Sequence, residues 1–302
     1  MRCRFHICDV FTARRFGGNQ LAVLPDAAGL DPTVMQRIAR EFNYSETTFV
    51  LPPEDHRHTR RVRIFTPQAE IPFAGHPNIG TAFVLAATGA VKPTDDAAGL
   101  IFEEAAGLVP VTVRFEKGTP VYSELVAPRS LSLGAALPAE AVARSLSLAP
   151  EAIVTTTHAP RMASAGLPFL FVELRDRQAL GEAQIRLDEH AEVMRAAGTE
   201  GLFVYTRDTD DADLQARMFA PLHGVAEDPA TGSAAVALAG LLAACAPAAE
   251  AELTWRIAQG IEMGRPSLLE TRARKVAGQV VELRVGGCSV LVAEGWIEAG
   301  EA

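Results

Sequence analysis

Lysine is almost absent from this chain: Lys92, Lys117 and Lys275 are the only ones in 302 residues. Lys117 stands in a Glu-Lys-Gly-Thr turn, and no lysine has the setting of a Schiff-base residue for pyridoxal phosphate. Basic runs are absent too. With a net charge of −9, that argues against nucleic acid and against anionic membrane surfaces as partners. No apolar stretch reaches the roughly 18 uninterrupted residues of a membrane-spanning helix. The opening "MRCRFHICDVF" is too short and too polar for a signal peptide and reads as a first strand. The expected setting is cytoplasmic.

Cysteine is sparse, and Cys3, Cys8, Cys245 and Cys288 lack zinc-type spacing. Disulfides are not expected in a cytoplasmic chain. Cys245, in a long apolar stretch, and Cys288, in a late strand, read as core residues. Neither GxxxxGKS/T nor a GxGxxG after a strand occurs, so no nucleotide cofactor is expected. His56 and His58 in "DHRHTRR" read as a solvated hairpin loop rather than a metal pair. The expectation is therefore no metal and no cofactor.

What is present is ordinary globular composition, 48% hydrophobic and 22% charged, over a length that favours two domains. The chain also repeats itself across its two halves. "RIFTPQAEIPFAGHPNIGTAFVL" begins at Arg63 and "RMFAPLHGVAEDPATGSAAVAL" at Arg217. Both read Arg-x-Phe-x-Pro, a short loop, then x-Pro-x-x-Gly-Ser/Thr-Ala and an apolar run. Pro77 matches Pro229 and Gly80 matches Gly232, 152 positions on in both cases. A duplication of one domain follows.

Each copy predicts a strand ending in proline and then a helix. Proline follows His76 or Asp228, the expected caps, and is placed at the first helical position. One helix should stop at Gly89 and the other near Cys245. Neither has a polar face, so each must be surrounded by protein. The remaining segments are mostly short strands, such as "LAVLP", "LVPVTVRFE", "FLFVEL" and "VVELRVGG". The expected fold is α+β, with two pseudo-symmetric domains. Each is a curled, mostly antiparallel sheet or barrel around a central buried helix. The first domain is expected over 1–118 with 283–302, the second over 119–282, with the active site in the cleft between them.

The helix mouths have two readings. Proline and glycine at a helix start are routine capping chemistry. Alternatively, the free N–H groups and the positive dipole end of each helix form an anion site suited to a substrate carboxylate. Small residues at Gly75, Gly80, Gly232 and Ser233 would let a ligand approach the backbone. Glu46, in "NYSETTF", is either an exposed strand residue or an acid aimed into a cleft. His223 either lines that cleft or is an ordinary loop residue, and Glu70 reads as a surface or inter-domain residue.

"NYSETTF", "FTPQAEIPFAGHPNIGTA", "FAPLHGVAEDPATGSAA" and "QGIEMGRPS" together resemble the PhzF-like family, isomerases with the diaminopimelate epimerase fold. The resemblance runs from "FTARRFGGNQLAVL" to "QGIEMGRPSLL". It implies cofactor-free proton transfer, the type reaction being the isomerisation of trans-2,3-dihydro-3-hydroxyanthranilate. Carried over motif by motif, it makes Glu46 the acid–base group. His76, Asp228 and Ser233 hold the substrate and stabilise charge. Asn19, Gly75, Asn78, Thr231 and Gly232 contact the substrate. The implied partners are a small-molecule carboxylate and a second copy in a homodimer. The sequence departs from the family pattern at Gln20, commonly proline, and at Asn78, often threonine, which leaves local substrate contacts open. No cysteine stands at either mouth, so a two-thiol racemase is excluded. A non-catalytic carboxylate-binding protein that keeps the fold is the alternative; the intact set Glu46, His76, Asp228 and Ser233 favours the enzyme.

Overall fold

The structure, a computed structural model, describes residues 1–199 and 201–300, with the main chain alone at His223. The expectation for the His223 side chain lies outside the described residues. The chain divides into two units, Met1–Pro128 with Gly286–Ala302, and Arg129–Val285.

In chain order the elements begin with β1 (Arg2–Val10), β2 (Asn19–Leu24), α1 (Pro32–Phe42), β3 (Glu46–Leu51), β4 (Arg60–Phe65) and β5 (Glu70–Ile71). They continue with α2 (Gly75–Ala87), β6 (Ala97–Glu104), β7 (Gly107–Glu116) and β8 (Thr119–Val126). Next come β9 (Ser132–Ala136), α3 (Ala139–Ser145), β10 (Ile153–Val154), β11 (Arg161–Ser164), β12 (Pro168–Leu174), α4 (Arg177–Glu182) and α5 (Leu187–Ala197). The last are β13 (Gly201–Thr206), β14 (Leu214–Ala220), β15 (Val225–Asp228), α6 (Gly232–Cys245), β16 (Ala251–Gln259), β17 (Ser267–Val276), β18 (Gln279–Gly287) and β19 (Ser289–Glu298).

The first unit wraps a sheet around α2. Its strands run β19, β1, β2, β3, β4, β6, β7, β8, with β5 also on β4. α2 touches β1, β2, β3, β7, β8 and β19. Every residue from Gly75 to Ala86 is buried, which accounts for a helix with no polar face. Gly80 makes this packing possible: a Cβ there would meet Leu21 Cδ2 and Val10 Cγ2, each at 2.6 Å. α1 lies on the other face, setting Met35 and Ile38 against Leu24, Phe49 and Phe65. Asp31 caps it by accepting the Thr33 N–H at 2.8 Å, with Pro32 at the first position. It ends at Asn43 in the left-handed region, φ 53°, and three residues later the chain enters β3 at Glu46.

The second unit repeats this order. β12 and β13 are parallel, as β2 and β3 are. β13 and β14 are antiparallel, as β3 and β4 are. β14 runs parallel to β16, matching β4 with β6, and β16 pairs antiparallel with β17, matching β6 with β7. α6 takes the central place, buried from Gly232 to Ala243 and touching β11, β12, β16 and β17. Each buried Leu or Val on it stabilises by about 1.5–3 kcal/mol, so packing rather than propensity holds the helix. α3, α4 and α5 cover the outer face. The sequence repeat at Arg63 and Arg217 is thus a repeat of topology, and the α+β architecture is as expected.

Three expectations need correction. The units join at Pro128/Arg129 and Val285/Gly286, later than the expected joints after 118 and 282. β8 pairs antiparallel with β7 across the turn at Lys117 and Gly118, so it stays with the first unit. Neither His76 nor Asp228 caps a helix: the caps are Ala74 and Thr231, neither with a side-chain capping bond. His76 lies inside the first turn of α2, whereas Asp228 ends β15, four residues ahead of α6. Nor are the late cysteines core. Cys245 is exposed with Ala244, because the last turn of α6 leaves the sheet, and Cys288 is half-buried between β18 and β19.

Candidate active site

Each unit gathers its own set of predicted residues. In the first, Glu46 opens β3 and His76 stands in the first turn of α2. Glu46 Oε2 lies 3.5 Å from His76 Nε2, and the two side chains are 17% and 5% exposed. A hydrogen bond between Thr48 Oγ1 and Thr81 Oγ1 at 2.8 Å pins β3 to α2 one strand repeat beyond Glu46. Asn19 Nδ2 approaches His76 Nδ1 at 3.3 Å, and the backbone of Gln20 also hydrogen-bonds the ring. Complete burial drives the His76 pKa down from 6.5 to about 3. The imidazole is therefore neutral at any physiological pH, and its contact with Glu46 is not an ion pair.

Gly75 is the first residue of α2, and no side chain caps the N–H groups that follow. Asn78 is fully buried, its Nδ2 donates to Ala74 O at 2.9 Å, and its amide faces the Glu104 carboxyl. Glu104 carries its carboxyl oxygens buried, and desolvation pushes its pKa up to about 8.

In the second unit the Asp228 side chain accepts a short hydrogen bond from Thr231 Oγ1. Gly232 and Ser233 begin α6, and again no side chain caps it. Glu227, next to Asp228, is held by Arg217 through two parallel bonds, Nε to Oε1 at 2.8 Å and Nη2 to Oε2 at 2.9 Å. Arg217 Nη1 also donates to the carbonyls of Leu180 and Ala183 at the end of α4. The same fork recurs in the first unit between Arg63 and Glu70, both bonds 2.7 Å, so Glu70 is a surface residue tied to Arg63.

Two residues with no assigned role emerge from the structure. Gln259 hydrogen-bonds both ends of the Asp228–Thr231 turn. Ser267 Oγ donates to Pro229 O at 2.9 Å. Gly260, at φ 75°, leaves room for the same turn: a Cβ would lie 2.6 Å from Pro229 O and 2.5 Å from Arg265 O. "QGIEMGRPS" is therefore the socket of the Glu-Asp-Pro turn, which is why the two motifs go together. The sequence shows the motif, but which turn it holds is visible only in the fold. The hairpin expectation holds for His56, 97% exposed, but His58 turns inward, its Nδ1 2.7 Å from Glu103 Oε1.

A buried helix in a curled sheet, twice over, with polar mouths and a glutamate beside one of them, defines an epimerase-like class of protein. A family model described as "Phenazine biosynthesis-like protein" matches residues 8–295. The chain belongs to that PhzC-PhzF family. It is 40% identical over 298 residues to an uncharacterized isomerase of Mesorhizobium japonicum, covering 95% of this chain and 96% of the relative. It is 34% identical over 292 residues to the trans-2,3-dihydro-3-hydroxyanthranilate isomerase of Pseudomonas aeruginosa, with 97% and 98% covered. Its fold matches a Bacillus anthracis phenazine biosynthesis protein of the PhzF family with a TM-score of 0.88, at 22% identity and 99% coverage of both chains.

Proposed function

We propose that this chain is an isomerase that uses no cofactor and moves a proton within a small carboxylate-bearing molecule, with Glu46 as the group that takes and returns it. The observation that carries the reading is the Glu46 carboxylate set 3.5 Å from a buried, neutral His76. A neutral imidazole beside the base orients it without clamping it in an ion pair. In the proposed reaction Glu46 takes a proton from an activated carbon, and the electron pair left behind moves into the conjugated system. The protonated Glu46 then returns the proton at another carbon. One C–H bond breaks, one forms, and the double bonds shift, so atoms and charge balance.

Asp228 and Ser233 are proposed to hold the substrate and balance charge. The N–H groups at the starts of α2 and α6, at Gly75, His76, Gly232 and Ser233, are proposed to take the carboxylate. Such a helix end favours an anion by about 0.3–1 kcal/mol, and by up to about 2 kcal/mol when partly buried. The substrate offered first is the one named for the Pseudomonas aeruginosa relative. A cytoplasmic homodimer is the proposed setting.

The test is turnover of trans-2,3-dihydro-3-hydroxyanthranilate in deuterated water. Deuterium should enter the product, and Glu46→Gln should lower the rate by roughly 10²–10⁴-fold. Undiminished turnover in that variant would overturn the assignment of the base.

A further inference from the structure

Gln259 closes β16 and is fully buried, 0% exposed. Its carboxamide makes three hydrogen bonds, all to the turn from Asp228 to Thr231. Oε1 accepts from the Thr231 backbone N–H at 3.0 Å, while Nε2 donates to Asp228 O at 2.8 Å and to Thr231 Oγ1 at 3.1 Å. Two of these partners are main-chain groups with a single role each. An N–H only donates and a carbonyl only accepts, so the amide has one permitted orientation.

That orientation decides the next bond. Both Nε2 hydrogens are directed, one to Asp228 O and one to Thr231 Oγ1. The Thr231 hydroxyl is thereby an acceptor toward Gln259, and its own proton is free to point elsewhere. The nearest acceptor is Asp228 Oδ2, at hydrogen-bond distance. We infer that Gln259 is a positioning residue that sets the direction of the Thr231–Asp228 hydrogen bond, so that Asp228 works as an ionised acceptor and not as an acid. A hydroxyl donating to a carboxylate stabilises its charged form. The surroundings support the same role: Ser267 holds Pro229 O, and Gly260 lets the chain pass against it, so the turn has little room to reorient.

The consequence for catalysis rests on the isomerase reading. Of the two carboxylates proposed to act, Glu46 exchanges its proton and Asp228 stays charged, a fixed electrostatic partner for the substrate. The inference itself stands on the hydrogen-bond geometry.

The experiment follows the Asp228 carboxyl by carbon NMR through a pH titration of the full chain without substrate. Thr231→Val should move its midpoint up by about 1 pH unit, the scale of one lost hydrogen bond to a carboxylate. Thr231→Ser, which keeps the hydroxyl, should restore the original midpoint. Gln259→Glu puts an acceptor where the amide donated and competes for the Thr231 proton, so it should also move the midpoint up. An unchanged midpoint in folded Thr231→Val, or an equal shift in Thr231→Ser, overturns the inference. An unchanged midpoint in folded Gln259→Glu also overturns it; should that variant not fold, Gln259→Met, which removes the directing amide, is read by the same criterion. Because no substrate is present, failure here leaves the isomerase reading intact, and an inactive wild type leaves this inference intact.

Discussion

Glu46 and His76 meet oxygen to nitrogen at 3.5 Å, and burial keeps the imidazole neutral. A histidine beside a carboxylate ordinarily rises in pKa and pairs with it. Here complete burial outweighs the hydrogen bond from the Gln20 backbone and drives the ring down to about 3. Desolvation decides the pair.

The pH dependence follows. The pH profile of kcat/KM, measured with the substrate of the deuterium experiment, should show no inflection near 6.5 from His76. His76→Asn should lower the height of the profile and leave its shape. An inflection that disappears in this variant would mean the ring titrates. Stability carries the same sign: the folded pKa is depressed, so the contribution is present above 6.5 and is lost as pH falls toward about 3. The loss is roughly 1.4 kcal/mol for each pH unit in that window, and denaturant titrations at several pH values measure it.

Glu104 works in the opposite direction. Its folded pKa is raised by desolvation from 4.5 to about 8, so the folded state holds a proton that the unfolded chain releases. Stability should therefore fall as pH rises from 4.5 toward 8, by up to about 5 kcal/mol in total. Glu104→Gln, which imitates the neutral acid, should flatten that dependence and be the more stable protein at pH 8. Equal slopes for the two proteins in urea melts would refute it.

The paired arginines give a third prediction. Arg217 and Glu227 are 11% and 17% exposed, whereas Glu70, the partner of Arg63, is 39% exposed. Removing Arg217 strands a half-buried carboxylate and unties the end of α4, so Arg217→Met should cost about 3–5 kcal/mol. Arg63→Met leaves a carboxylate that water can reach and should cost about 1 kcal/mol or less. Thermal or urea melts of both variants check the ranking, which the sequence repeat alone would make equal.

Much of the architecture was legible because it is written in short-range pattern. The stretches 79–88 and 233–243 have no polar face at helical spacing, and only burial on all sides accommodates such a helix. The repeat of Arg-x-Phe-x-Pro and x-Pro-x-x-Gly pointed to duplication, and the matched parallel and antiparallel pairings carry it out. The motif residues Glu46, His76, Asp228 and Ser233 were nameable from neighbours two or three positions away.

Tertiary structure decided whatever depends on contacts between distant segments. Gln259 lies 28 residues beyond Thr231 and 31 beyond Asp228, and no spacing rule joins them. Asn78 turned inward because Ala74 and Glu104 are there to receive it. Ala74 and Thr231, not His76 and Asp228, became the caps, because a helix starts where the surrounding sheet permits its first turn. Two buried helices, their duplication and the residues at their mouths are readable from the chain alone, since periodicity and motif spacing encode near neighbours. That His76 is buried neutral, and which of its companions are held, came only with the fold, because desolvation and hydrogen-bond partnership arise when distant strands close around a side chain.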